Sequence, residues 1–226
     1  VKRETENVLL LLVGLTGVLL VTSGNYTRYV KPTLMPWLVA GAAVVIALAV
    51  TAIVADIRRG GALPDGHSHR SAMPWLLAVP VIVLLFVSPP AIGAHAVDTT
   101  ATVTPAAVSR HPFPPLPPGP APEVSVPDVL MRVAQDSAGT LDGRRISVTG
   151  FVLRADGQIE LGRVVIICCA ADAQLARIPL TGPAAAEAAR FPDDAWLRVT
   201  ATVAEGPVLL IDSVTPIEAP ANPYAY

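Results

Sequence analysis

The chain has 226 residues, of which 52% are hydrophobic and only 15% charged, with a mean hydropathy of +0.54. That is too apolar for an ordinary soluble protein and assigns part of the chain to lipid. Residues 1 to 122 carry 8 Lys/Arg against 5 Asp/Glu, net +3, and residues 123 to 226 carry 8 against 13, net −5; the acidic second half lacks the clustered cations of a phosphate-binding surface, so nucleic acid is not expected as a partner.

Val8 to Val21 are apolar apart from Thr16 and two glycines, and they follow Lys2 and Arg3, the flank of a first membrane segment on its cytoplasmic side. A cleaved signal peptide is the alternative, but the run ends at Thr22-Ser-Gly-Asn without an Ala-x-Ala-like site, which favours an uncleaved span. Trp37 to Val54 is a longer and cleaner run, bounded by Met35-Pro-Trp37 on one side and by Asp56, Arg58 and Arg59 on the other. A membrane-edge acid such as Asp56 is ordinarily solvated or paired, here with Arg59. A third run, Met73 to Val87, contains Pro80, which membrane helices tolerate. The expectation is a membrane domain over residues 1–98 with three transmembrane helices, at about 8–22, 36–56 and 73–88.

Three spans put Lys2, Arg3, Arg58, Arg59 and Arg70 on one side of the bilayer and Arg28 and Lys31 on the other, which favours a cytoplasmic N-terminus. After the third span no Lys or Arg appears until Arg110, so the remainder is expected to lie outside the cytoplasm of a bacterial cell, as part of a multi-pass protein whose first partner is the lipid bilayer. Residues 99–122 form a Pro-rich linker: eight of the eighteen residues from Pro105 to Pro122 are proline. Such a segment is expected to be a polyproline II spacer, roughly 50 Å long if extended.

Residues 123–226 suffice for one small domain with its own core. Ser125 followed by Pro127 and Asp128 marks a helix start, with Val129, Leu130 and Val133 as the buried stripe and Gly139 near the stop. Ile146, Val148, Gly150 and Val152 alternate on one face of a first strand, Asp156-Gly157 supplies a turn, and Gln158 to Ile167 returns as a second strand. Arg177 to Leu180, Trp196 to Val203 and Val208 to Val214 are further strands, and Pro183 to Arg190 is an alanine-rich helix between the third and fourth. The order β-β-β-α-β-β is that of a five-stranded, OB-like Greek-key barrel; a twisted sheet with one covering helix is the alternative. The predicted fold class is therefore an α-helical membrane part followed by a mainly-β domain, an OB-like five-stranded barrel with one or two short helices.

The two cysteines of the chain, Cys168 and Cys169, stand side by side at the end of Val164 to Ile167, a run expected to be a central strand buried on both faces. Side chains alternate along a strand, so the two thiols are expected to point opposite ways, one buried and one reachable, without a disulfide between them. With Asp172 they offer one or two thiolates and a carboxylate to a soft or borderline metal, and thiolates favour zinc or cuprous copper. The spacing is not that of a zinc finger, and residues 123–226 contain no histidine, so a closed four-ligand site within one chain is not expected. Packing of the cysteines as small hydrophobes, and a capping carboxylate at Asp172, stand as the alternative. No Ser-His-Asp set and no phosphate-cradling glycine loop occurs, so the chain is not expected to be an enzyme.

Gly150-Phe-Val, Arg163-Val-Val-Ile-Ile-Cys-Cys-Ala-Ala-Asp-Ala173, Asp194-Ala-Trp-Leu-Arg-Val and Asn222-Pro-Tyr-Ala-Tyr226, together with Ser23-Gly-Asn-Tyr-Thr-Arg-Tyr29 near the start, resemble the DUF1980 family of bacterial membrane proteins. The resemblance implies the membrane partner of a predicted permease, an accessory subunit of a transport system tied to metal homeostasis, with zinc as the candidate metal. Relatives often carry a long histidine-rich tract between the second and third spans, whereas this chain has only His67-Ser-His69, which weakens the case for metal collection by that loop.

Overall fold

A computed structural model of the chain describes residues 2–59, 79, 109–155 and 157–226. The chain divides into two compact units, Val1–Pro90 and Ala91–Tyr226. Apart from residue 79, the third predicted span lies outside the described residues, as do His67, His69 and most of the first half of the linker.

In the first unit α1, Lys2–Thr22, and α2, Met35–Arg58, are joined by 3-10 turns at Asn25–Arg28 and Pro32–Leu34. They pack antiparallel at close range because small residues face each other. A Cβ on Gly14 would lie 2.4 Å from Ile46 Cγ1, one on Gly17 would lie 3.1 Å from Ala42 Cβ, and Ala49 is fully buried. At one end of the pair the Asn7 amide donates to Asp56 Oδ2 at 3.1 Å, so this acid is bound by the other helix. The outward faces are apolar, with Trp37, Val44, Leu48 and Ile57 exposed. The helical stretch Pro32–Arg58 is long and apolar enough to cross a membrane, as expected for the second span, while the apolar part of α1, Glu6–Thr22, is shorter.

The second unit opens with a segment read above as a spacer. From His111 onward it lies against the domain: the His111 amide donates to Gln135 O, the Phe113 amide to Asp136 Oδ1, and Ser147 N to Pro122 O. The helix α3, Val126–Gln135, starts where expected, with Ser125 in extended conformation accepting from the Asp128 amide at 3.3 Å and a proline in the first turn. Val126 and Val129 are fully buried, and Arg132 extends their stripe. The Arg132 guanidinium donates to Pro114 O, Thr140 Oγ1 and Asp128 Oδ2 and lies over the Phe113 ring, which pins the proline-rich segment down.

Six strands follow: β1 Ile146–Ala155, β2 Gln158–Val165, β3 Gln174–Thr181, β4 Trp196–Ala204, β5 Val208–Pro216 and β6 Tyr224–Ala225; a single-turn helix α4, Ala185–Ala188, stands between β3 and β4. The expected helix Pro183 to Arg190 is thus reduced to one turn. The pairings β1–β2, β2–β3, β3–β5, β5–β4 and β4–β1 run round a ring. The ring is partial, because β3 and β5 share only Leu180↔Leu209 and Thr181↔Leu210. Glycine allows its tightest stretch: a Cβ on Gly150 would come within 2.5 Å of Gly162 O, and one on Gly162 within 2.4 Å of Leu153 Cδ2.

Two hydrophobic clusters result from this curl. Inside the ring Ile146, Val148, Val152, Leu161, Ile178, Leu197, Val199, Leu209 and Ile211 pack beneath Val126 and Val129 of α3. Outside it, on the other face of β1, β2 and β3, Phe151, Leu153, Val164, Ile166, Leu175 and Tyr224 form a smaller cluster. The expectation of a strand with two buried faces over Val164 to Ile167 holds only in part: Val164 and Ile166 are buried on the outer face, Val165 is half-buried against the inner core, β2 ends at Val165, and Ile167 is 58% exposed.

Candidate functional site

The segment after β2 forms a turn shaped by one carboxylate. Ile166 is the last anchored residue: its side chain is buried in the outer cluster and its amide donates to Ala225 O at 3.0 Å. The next three amides converge on Asp172. Oδ1 accepts from Ile167 N at 2.9 Å, and Oδ2 accepts from Cys168 N at 2.8 Å and Cys169 N at 3.2 Å. Such successive amides form a concavity suited to an anion, and here the chain supplies its own. Residues Ala170–Asp172 make a 3-10 turn that Cys169 caps, its sulfur accepting from the Asp172 amide in the manner of a serine or threonine cap.

The turn overturns the expectation that the two thiols diverge. Alternation ends with β2 at Val165, and the fold-back onto Asp172 brings both Sγ atoms and a carboxylate oxygen within 4.8 Å of one another. Both cysteines are free, as expected; Cys168 is exposed and Cys169 half-buried, so neither is a buried packing thiol. The three predicted site residues are thus brought together, and they are the group of potential metal ligands of this kind among the described residues.

Electrostatically the site is a carboxylate and a protonated thiol sharing a hydrogen bond. Cys168 Sγ donates to Asp172 Oδ2 at 2.6 Å. The Cys168 thiol, with the other amide donors after it, holds the Asp172 carboxyl down to about 2. In return the hydrogen bond to Asp172, followed by the one with Cys169, pushes the Cys168 thiol up to about 11. At neutral pH the resting site is therefore a thiol donor, and a metal must displace its proton. Two sulfur donors and one oxygen donor fit a thiophilic ion in chemistry, and they fall one short of the four protein ligands of a structural zinc site.

Residues that sequence reasoning missed hold the turn from behind. The Arg163 guanidinium lies 4.8 Å over the Trp196 ring and donates to Asn222 O at 3.2 Å and Tyr224 O at 3.4 Å. It fastens β6, which pairs parallel to β2 at Val164↔Tyr224 and Val165↔Ala225. Asn222-Pro-Tyr224 was the available signal, but the two residues of β6 are too few for periodicity to reveal a strand. A polar cleft of about 350 Å³ between the end of α3 and the β4–β5 turn includes Arg132, Asp136 and Thr140. There the Asp136 carboxylate is already bound by the Thr140 hydroxyl and the amides of Phe113, Ala138 and Thr140, which hold it well below the usual carboxylate range.

No curated protein and no solved structure matches the chain. Residues 129–226, which contain all six strands and the Cys168-Cys169-Ala-Ala-Asp172 turn, match the family model described as the DUF1980 C-terminal domain, and this part of the chain belongs to the DUF1980 family.

Proposed function

We propose that the chain is an accessory membrane subunit of a transport system, anchored by its apolar helices, whose OB-like β domain holds a thiophilic metal ion, zinc included, outside the cytoplasm. The observation that carries this reading is the convergence of the Cys168 and Cys169 sulfurs with a carboxylate oxygen, all within 4.8 Å, on an exposed turn. Membership of the DUF1980 family and the length of Pro32–Arg58 support the membrane setting. The rival reading, a scaffolding domain, draws on the amides that Asp172 already accepts, which explain that residue without a ligand. It does not explain why two cysteines occupy the outside of the turn.

The test is purification of the full chain in detergent together with whatever membrane protein it retains, followed by metal analysis and differential alkylation. A permease is the expected companion, and bound metal is expected to protect both thiols. Thiols indifferent to every thiophilic ion offered would leave the scaffolding reading. A reporter fused after Tyr226 tests the setting independently: activity in the cytoplasm would refute the placement of the domain.

A further inference from the structure

Resting on that metal-binding reading, we infer that the ion this turn selects is monovalent cuprous copper, bridged by the Cys168 and Cys169 sulfurs alone, with Asp172 as a positioning residue that does not ligate. The argument starts from the commitments of the carboxylate. Its oxygens accept from three consecutive amides, Ile167, Cys168 and Cys169, and from the Cys168 thiol. Loss of the thiol proton on metal binding frees one position on Oδ2, which still carries two amides. Turning either oxygen toward a cation would strip those amides, and the turn that brings the sulfurs together would open. The converging amide dipoles also create a positive potential there, favourable to the carboxylate and unfavourable to a dication.

Two thiolates then remain. Zinc in a structural protein site takes four protein ligands, and the cluster here brings together only two sulfurs and the committed carboxylate, with no histidine among them. A cuprous ion is satisfied by few ligands and is selected by soft thiolates. The spacing suits such a bridge, since two metal–sulfur bonds of about 2.3 Å placed end to end span about 4.6 Å and a bent bridge spans less, while the sulfurs here lie within 4.8 Å of each other. Binding forms two copper–sulfur bonds and releases the two thiol protons to solvent. No electron is transferred, because the copper enters already reduced. The exposure of Cys168 leaves the approach open.

The test is anaerobic titration of the reduced full chain in detergent with cuprous bicinchoninate, read as decolourisation, beside a zinc titration read with a chromogenic zinc chelator. One cuprous ion per chain is expected to transfer to the protein in preference to zinc. Cys168→Ser and Cys169→Ser should each weaken it by roughly 100-fold or more, and Asp172→Asn by only about tenfold, the size of a supporting-residue effect. Tryptophan fluorescence checks that each variant keeps its fold. The metal preference of the unaltered chain and the two serine variants decide the matter even if Asp172→Asn unfolds the turn. Preference for zinc, or cuprous binding that survives both serine substitutions, overturns the assignment; the first leaves the metal-binding reading standing, whereas withdrawal of neither ion sinks both.

Discussion

Ile166 is the residue on which the thiol turn is mounted, and its truncation gives a calculable effect. The side chain is fully buried among Phe151, Leu153, Val164, Leu175 and Tyr224. Ile166→Ala removes three carbons, worth about 0.8 kcal/mol each in lost transfer, or about 2.4 kcal/mol. These neighbours are carried largely on paired strands and can collapse only in part. A residual cavity of about 40 Å³ at about 24 cal/mol per Å³ adds about 1 kcal/mol. The expected loss is about 3 kcal/mol, a large share of the 5–15 kcal/mol that holds a typical domain. It corresponds to a fall in melting temperature of roughly 10–20 °C for a domain of this size. Urea unfolding of residues 109–226, followed by Trp196, the one tryptophan in that fragment, measures it. Ile167→Ala is the internal control, since the next side chain is exposed and its loss should change stability by no more than about 0.5 kcal/mol. A cost for Ile166→Ala below about 1 kcal/mol, or equal costs for the two variants, would refute the claim that the outer cluster anchors the turn.

Trimming the fragment from 109–226 to 123–226 removes the Pro114 carbonyl and the Phe113 ring from the nearly buried Arg132 and should cost about 1–3 kcal/mol, seen as a lower urea midpoint; equal midpoints would make the proline-rich segment a bystander. In metal-free Cys169→Ser protein the iodoacetamide rate at Cys168 should rise with a midpoint above the ordinary value of 9.0, because the larger influence, the hydrogen bond to Asp172, remains, and Asp172→Asn should shift that midpoint down toward 9.0; a profile already centred at 9.0 before the Asp172 change would deny the thiol–carboxylate bond. Because the folded pKa is raised, the stabilisation from this bond is complete below 9.0 and is lost as pH rises through about 11. Asp172 and Asp136 behave in the opposite sense: both are depressed from 3.8, so their contribution is present above 3.8 and is lost as pH falls through their folded values, about 2 for Asp172 and lower for Asp136. Asp136→Asn should therefore flatten the acid limb of the stability profile, and an unchanged limb would mean that the Thr140 turn does not depend on the charge.

Alternation made β1 through β5 legible because each buries one face in a shared core, and the positions of Val148, Val152, Leu197 and Val199 follow directly from their spacing. The helix start at Ser125 was legible because capping is local chemistry. The thiol turn was not. Ile166 and Ile167 have the composition of a continuing strand, and only a carboxylate several residues downstream bends the chain away, an interaction that propensity does not register. The same applies to proline content, which is silent about Arg132 and the surface that receives the segment. Cys168, Cys169 and Asp172 were recognisable as candidate ligands, but strand alternation set the two thiols apart, and both the turn that gathers them and its hydrogen bonding required coordinates.

The short β6 has a consequence for self-association. β1 pairs with β2 only as far as Phe151↔Gly162, so beyond Gly162 that side of β2 would be a bare template for a foreign strand, immediately before the exposed Cys168 and the half-buried Cys169. Tyr224 and Ala225 occupy that template in parallel register, and Ala225 takes up the Ile166 amide. The tail thus works as an edge guard, denying a second copy the docking line that would set thiol against thiol and invite crosslinked aggregates.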